Sequence, residues 1–229
     1  MLIIKGLHVS YQKGEDVLCG LELSLETGKV HGLVGLNGSG KTTFLNALYG
    51  FVRPSEGEVQ FNGNLLRRKD IAYLEAENFF YPYMTGREYI RLFPGSDDFD
   101  MDNWQKLFSL PLDDITENYS TGMRKKLALL AVLKQDKPIL ILDEPFNGLD
   151  IESTHLLNLI LEQLRSKGKT ILITSHIFES LTNCCDYIHY LSDARIKASY
   201  TRPTFHQLQQ EIQSTIEKDS ASLLKQLFQ

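Results

Sequence analysis

The chain has 229 residues, with 24 lysines and arginines against 29 aspartates and glutamates, for a net charge of −5. That balance gives no electrostatic reason to expect a nucleic-acid partner. With 42% hydrophobic and 23% charged residues and no apolar run longer than Leu127–Leu133, it suits a soluble globular protein that reaches a membrane only through a partner.

At the N-terminus, Met1–Lys5 is too short for the apolar part of a signal peptide. Alternating apolar residues in Leu2–Lys5 and Leu21–Leu25, with glycines nearby, predict an antiparallel flap over the first 28 residues. Cys19 is one of three cysteines with the adjacent Cys184 and Cys185. An odd count with two neighbours suits neither a disulfide framework nor a zinc site, so buried free thiols in a reducing compartment are expected.

Val30–Val34 reads as a short apolar strand, followed by Gly35-Leu36-Asn37-Gly38-Ser39-Gly40-Lys41-Thr42. This is the phosphate-loop pattern G-x-x-x-x-G-K-[ST]. Its glycines let the backbone wrap and aim N–H groups at phosphate oxygens, Lys41 supplies a point charge to the β- and γ-phosphates, and the Thr42 hydroxyl can ligate Mg²⁺. A chance match in a chain this long has a probability of about one per cent, so the loop alone does not decide. The flanks do: a strand precedes it, Thr43–Tyr49 has helical spacing, and Gly50 stands where a C-terminal cap belongs. That order puts a phosphate on a helix N-terminus.

Arg67-Arg68-Lys69 is the best local basic run and reads as a solvated loop. Beyond a strand at Ile71–Leu74, residues 80–118 carry Pro82, Pro94, Pro111 and an acidic loop at Asp97–Asp100, which predicts a small, largely helical insertion. Its aromatic stretch Phe79–Tyr83 suits either a core or an exposed docking patch. Tyr119-Ser120-Thr121-Gly122-Met123 opens a helix over Met123–Lys134.

Ile139–Leu142 is an apolar strand ending in Asp143 and Glu144. Adjacent carboxylates repel, so a metal or a functional demand is usually needed to keep them together. Asp143 is placed to hold Mg²⁺, leaving Glu144 to orient or deprotonate a water. Asn147–Asp150 reads as a turn ending in a helix cap, ahead of a helix over Ser153–Lys167 that stops at Gly168. Thr170–Thr174 is a third buried strand, followed by Ser175 and His176. The tail from Arg202 has weak helical pattern and no motif. The expected class is α/β: a P-loop NTPase core with a parallel sheet, an N-terminal antiparallel β flap and a small α-helical subdomain. Residues 1–229 are expected to form one domain, with the inserted subdomain over about 80–135 and a short tail from 202 to 229.

Nearly the whole chain resembles the nucleotide-binding subunit of ATP-binding cassette (ABC) transporters. Ser120 and Gly122 match the family signature Leu-Ser-Gly-Gly-Gln, while Thr121 and Met123 depart from it in a way seen among export-type members. The resemblance implies that Gly35, Asn37, Gly38, Ser39, Gly40, Lys41, Thr42 and Thr43 hold ATP, with Tyr11 stacked on adenine. It implies Thr42 and Asp143 on Mg²⁺, and Glu144, His176 and Lys41 as the catalytic set. It also implies that Ser120, Gly122 and Asp150 act across a head-to-tail pair. Counting back from Tyr81-Pro82, the position of the family's metal-contacting glutamine falls on Ala76, with Glu75 and Glu77 as possible substitutes.

The partners implied are a second ATPase subunit, identical or related, and a separate transmembrane permease that keeps this subunit on the cytoplasmic face. Two other readings stand beside an export ATPase. One is a non-transport ABC ATPase, although only about 80 residues separate the loop from the signature, too few for the long coiled coil of repair types. The other is an ATP-binding regulatory module with little hydrolysis, which the missing glutamine favours and the intact Glu144 and His176 oppose.

Overall fold

A computed structural model describes residues 1–12, 15–95 and 99–227. Part of the expected acidic loop, Asp97 and Asp98, lies outside them. Two sheets organise the chain. The first is antiparallel and contains β1 (Leu2–Gln12), β2 (Glu15–Leu25), β4 (Glu56–Phe61) and β5 (Asn64–Leu65), in the order β2-β1-β4-β5. The second contains β3 (Val30–Val34), β6 (Ile71–Leu74), β7 (Ile139–Leu142), β8 (Thr170–Thr174), β9 (Tyr187–Ser192) and β10 (Arg195–Thr201), in the order β10-β9-β3-β8-β7-β6. Every neighbouring pair from β9 to β6 is parallel, and β10 closes the edge antiparallel to β9.

The central strands are buried on both faces, which is why they read as unbroken apolar runs. Successive side chains point to opposite faces. Ile139 and Ile141 therefore join the core beneath the flap, with Phe44 and Leu45 of α1 (Lys41–Tyr49). Leu140 and Leu142 join the opposite core, with α4 (Thr121–Lys134) and α5 (Ile151–Ser166). Fully burying one such leucine or isoleucine contributes about 1.5–3 kcal/mol.

Between β6 and α4 lie α2 (Gly86–Arg91) and α3 (Met101–Phe108); α6 (Phe178–Cys184) and α7 (Phe205–Leu227) follow β8 and β10. The tail is thus a 23-residue helix, longer than its weak pattern suggests. Among the described residues no helix is long and apolar enough to cross a membrane. Arg68 sits in a one-turn 3₁₀ segment, its guanidinium 4.5 Å from the Tyr49 ring centre and 5.1 Å from that of Phe51, so the basic run is solvated yet stacked.

Three helices begin two residues ahead of the starts expected from apolar periodicity: α1 at Lys41, α4 at Thr121 and α5 at Ile151. Each follows a capping residue. Ser120 accepts from the Met123 N–H at 3.2 Å, and Asp150 from the Ser153 N–H at 2.7 Å. Gly40 instead turns the chain with φ +100°.

Candidate functional site

β3 delivers the chain into the Gly35–Gly40 loop, and α1 carries it away. A Cβ on Gly35 would stand 2.4 Å from the Leu191 carbonyl oxygen and 2.5 Å from Ser39 Oγ, so only glycine fits. Gly38 and Gly40 have φ of +78° and +100°, the left-handed region that L side chains rarely enter. The Lys41 ammonium donates to the Gly35 carbonyl at 2.8 Å and to that of Leu36 at 3.3 Å, curling back over the loop. Burial pulls its pKa down, while Glu144 and Asp143 favour its charged form.

The loop faces a cavity of about 400 Å³ lined by Asn37, Gly38, Gly40, Lys41, Thr42 and Thr43 on one side. Asp143, Glu144, His176 and Ala76 line the other. Gly35 and Ser39 lie within the loop behind this lining, with Ser39 Oγ buried and without a hydrogen bond. A larger apolar groove of about 610 Å³, between Trp104 and Leu159, shares none of its lining residues with the loop.

Thr174 at the end of β8 organises the acidic pair. Its hydroxyl donates to Asp143 Oδ1 at 2.6 Å and accepts the Glu144 backbone N–H at 2.9 Å. Glu144 has φ +50°, a conformation that costs a non-glycine residue about 1 kcal/mol or more. The side chain is fixed by His176, whose backbone N–H donates to Glu144 Oε2 at 3.0 Å and whose Nε2 lies 3.3 Å from Oε1. Oε1 is buried and makes no hydrogen bond. Burial raises the Glu144 pKa; the His176 contacts and Lys41 oppose this, and Asp143 adds to it. The hydroxyl of Thr42 and the carboxylate of Asp143 are hard oxygen donors of the kind Mg²⁺ prefers, and the orphaned Oε1 beside them suits a water.

Tyr11, on β1, is 60% exposed, and its hydroxyl is 3.2 Å from Thr43 Oγ1. The ring is therefore largely exposed beside the start of α1. Ser120, Gly122 and Asp150 do not line the cavity. Ser120 and Asp150 are exposed and Gly122 is half-buried, packed so that a Cβ on it would come within 2.9 Å of the Gly148 carbonyl oxygen. Asp150 caps α5, and that contact lowers its carboxyl pKa. Ala76 lines the cavity at the place counted for the glutamine, whereas the exposed Glu75 and Glu77 do not.

Three contributors escaped the sequence reading. Val17 lines the cavity from β2, and Thr174 bridges the acids. The third is Lys125 on α4, 7% exposed, which donates to the Ala76 carbonyl at 2.9 Å. Only the strand-end position of Thr174 left a signal, because polar residues at parallel strand ends mark ligand crevices. The aromatic stretch divides: Phe80 packs 4.6 Å from the ring of Tyr89, whereas Phe79, Tyr81 and Tyr83 are 71%, 53% and 83% exposed.

A family model described as ABC transporter matches residues 18–147. The chain belongs to the ABC transporter family. It is 30% identical over 190 residues, 79% of its length, to the ABC transporter ATP-binding protein YtrB of Bacillus subtilis, and 30% identical over 227 residues to the chelated iron transport system membrane protein YfeB of Yersinia pestis. It spans 65% of YtrB and 76% of YfeB. A solved structure of an ATP-binding subunit of an ABC transporter superposes with a TM-score of 0.82 at 28% identity, covering 88% of this chain and 90% of the other. The ATP-binding cassette MJ0796, at 22% identity and a TM-score of 0.79, shares the fold. The ABC transporter core is thus the P-loop α/β sheet described above.

Proposed function

We propose that the chain is the ATP-binding and ATP-hydrolysing subunit of an export-type ABC transporter, working through a separate transmembrane subunit. A second ATPase subunit, identical or related, completes its site. The observation that carries this is the division of the site: the loop, the acids and His176 share one cavity, while the exposed Ser120 and the half-buried Gly122 lie outside it at the start of α4. The N-terminus of α4, outside that cavity, suits the phosphates of a neighbour's nucleotide.

In this reading Tyr11 stacks on adenine, and the backbone from Gly35 to Thr43 wraps the phosphates. Lys41 leaves its carbonyl partners for the β- and γ-phosphates. Thr42 and Asp143 would hold Mg²⁺, which when bound neutralises charge on the transferred phosphoryl group. Glu144, aimed by its twisted backbone and by His176, orients or deprotonates the attacking water. The partner copy contributes the equivalents of Ser120 and Gly122 to the γ-phosphate and of Asp150 to the seam. Binding energy then closes the pair, and hydrolysis opens it.

Phe79, Tyr81 and Tyr83 offer the exposed apolar patch that a membrane subunit would grip, next to the loop bearing Ala76. The relatives' names include iron transport, manganese transport and lantibiotic transport, so direction rests on the Thr121 and Met123 variant of the signature. A regulatory, weakly hydrolysing module is the second reading, favoured by Ala76 at the glutamine position. Co-purification from native membranes, followed by ATP turnover with and without the captured membrane subunit, separates the two. Turnover stimulated by that subunit supports transport; no captured membrane protein and no hydrolysis contradicts it.

A further inference from the structure

We propose that His8, Asp16 and Cys19 form a site for a borderline-soft divalent cation of the zinc type, clasping β1 to β2. Their donor atoms, a ring nitrogen, a carboxylate oxygen and a sulfur, lie within 4.8 Å of one another. The cysteine spacing alone gave no zinc motif. The fold creates the site by bringing together three different residue types from two strands.

Two irregularities in the strand pairing put the donors on one face. Leu7 pairs with Leu21 and Val9 with Leu18, so the single residue His8 opposes both Cys19 and Gly20. Gly20 takes φ +64°, the mark of a glycine bulge. A Cβ there would stand 3.2 Å from His8 Nε2, so the glycine also makes room for the imidazole. The next pair is Ser10 with Asp16, which leaves Val17 as an extra residue. In an unbroken strand Asp16 would share the face of the fully buried Leu18. The extra residue turns Asp16 to the outer face with Cys19, while Leu7, Val9, Leu18 and Leu21 fill the core.

The chemistry selects the ion. A thiolate and a carboxylate balance a dication, and the imidazole adds a neutral donor. A sulfur donor disfavours Mg²⁺ and Ca²⁺. Arg195 Nη2 donates to Cys19 Sγ at 3.6 Å, a contact that serves as an outer-shell bond to a ligating sulfur. Metal–donor bonds of about 2.0–2.3 Å put tetrahedral donors about 3.5 Å apart, so the trio closes by about 1 Å through side-chain torsions. A water takes the fourth position on this partly exposed face.

Co²⁺, a spectroscopic stand-in for Zn²⁺, tests this on the full chain. One equivalent is expected to give a thiolate-to-cobalt charge-transfer band and tetrahedral d–d bands, both abolished by Zn²⁺. Cys19→Ser and His8→Gln should lose the charge-transfer band while keeping the wild-type circular dichroism, and Cys184→Ser should retain it. Zn²⁺ should raise the melting temperature of the wild type and leave that of Cys19→Ser unchanged. Absence of the band in the wild type, or its persistence in Cys19→Ser, overturns the site.

Discussion

The Glu144 carboxylate is held twice by His176: it accepts the backbone N–H at 3.0 Å and meets Nε2 at 3.3 Å. Glu144→Gln keeps an acceptor for the backbone N–H and removes the proposed base. Turnover should fall by about 10²–10⁴-fold with ATP binding retained. Size-exclusion chromatography with saturating ATP should show the variant as a dimer. A variant that stays monomeric would count against the shared site.

The same pair sets a pH dependence. Burial raises the Glu144 pKa, and the backbone N–H and then the imidazole of His176 oppose the rise. A general base works deprotonated, so the acid limb of the kcat/KM profile lies above the ordinary glutamate range. His176→Ala removes an influence that favours the carboxylate, which raises the pKa further. The limb should therefore move to higher pH, read from turnover across a buffer series; a shift to lower pH would contradict the assignment.

Lys41→Ala should weaken ATP affinity by about tenfold to a hundredfold, the scale of a lost hydrogen bond to a charged group. Its present partners are the Gly35 and Leu36 carbonyls, which water can satisfy in the variant. Titration calorimetry with ATP measures the loss, and unchanged affinity would remove Lys41 from the phosphates.

Lys125 ties α4 to the loop at Ala76. Burial lowers its pKa, and Asp143 and Glu144 hold it charged. Lys125→Met leaves the Ala76 carbonyl without that donor at a cost of about 1–3 kcal/mol, visible as a lower urea midpoint. The loop bearing Ala76 also lines the cavity, so kcat should drop more than KM rises. A stability loss with unchanged kcat would make the lysine purely structural.

A buried histidine chain predicts acid sensitivity. The His31 Nε2–H donates to the Glu26 carbonyl at 2.9 Å, which leaves Nδ1 to accept from His189 Nε2–H at 3.1 Å. His189 Nδ1 then accepts the Ser199 hydroxyl at 2.7 Å. The arrangement needs both rings neutral, and burial pulls the His189 pKa to about 3 and that of His31 down as well. A depressed folded pKa means stability present above the unfolded value of about 6.5 and lost as pH falls below it. Between pH 7 and pH 5 the His189 contribution to that loss is about 2 kcal/mol. Urea midpoints should fall over this range, and fall less in His189→Gln.

The parallel core was legible because burial on both faces demands unbroken apolar runs. Val30–Val34, Ile139–Leu142 and Thr170–Thr174 are strands with the bounds their sequences suggest. β10 was not legible: Arg195–Thr201 alternates exposed and half-buried residues at a sheet edge, without a core face to mark it. The 23-residue α7 was weakly written because its stripe, Phe205, Leu208, Ile212 and Ile216, holds only about one apolar residue per turn. At the site, the loop and the acidic pair were legible because phosphate chemistry restricts residue type and spacing together. Lys125 and Val17 were not. A buried lysine looks like any surface lysine in a sequence, and Val17 reaches the cavity only through a strand irregularity.

The central claim, a nucleotide clamped between two chains, is tested most directly by mixing two disabled variants. Lys41→Ala damages the phosphate loop, and Gly122→Asp puts a carboxylate in the signature segment. In a head-to-tail pair of one of each, one composite site keeps both intact halves. The mixture should hydrolyse ATP faster than the sum of the two variants assayed alone. A rate equal to that sum would mean that each chain works, or fails, by itself.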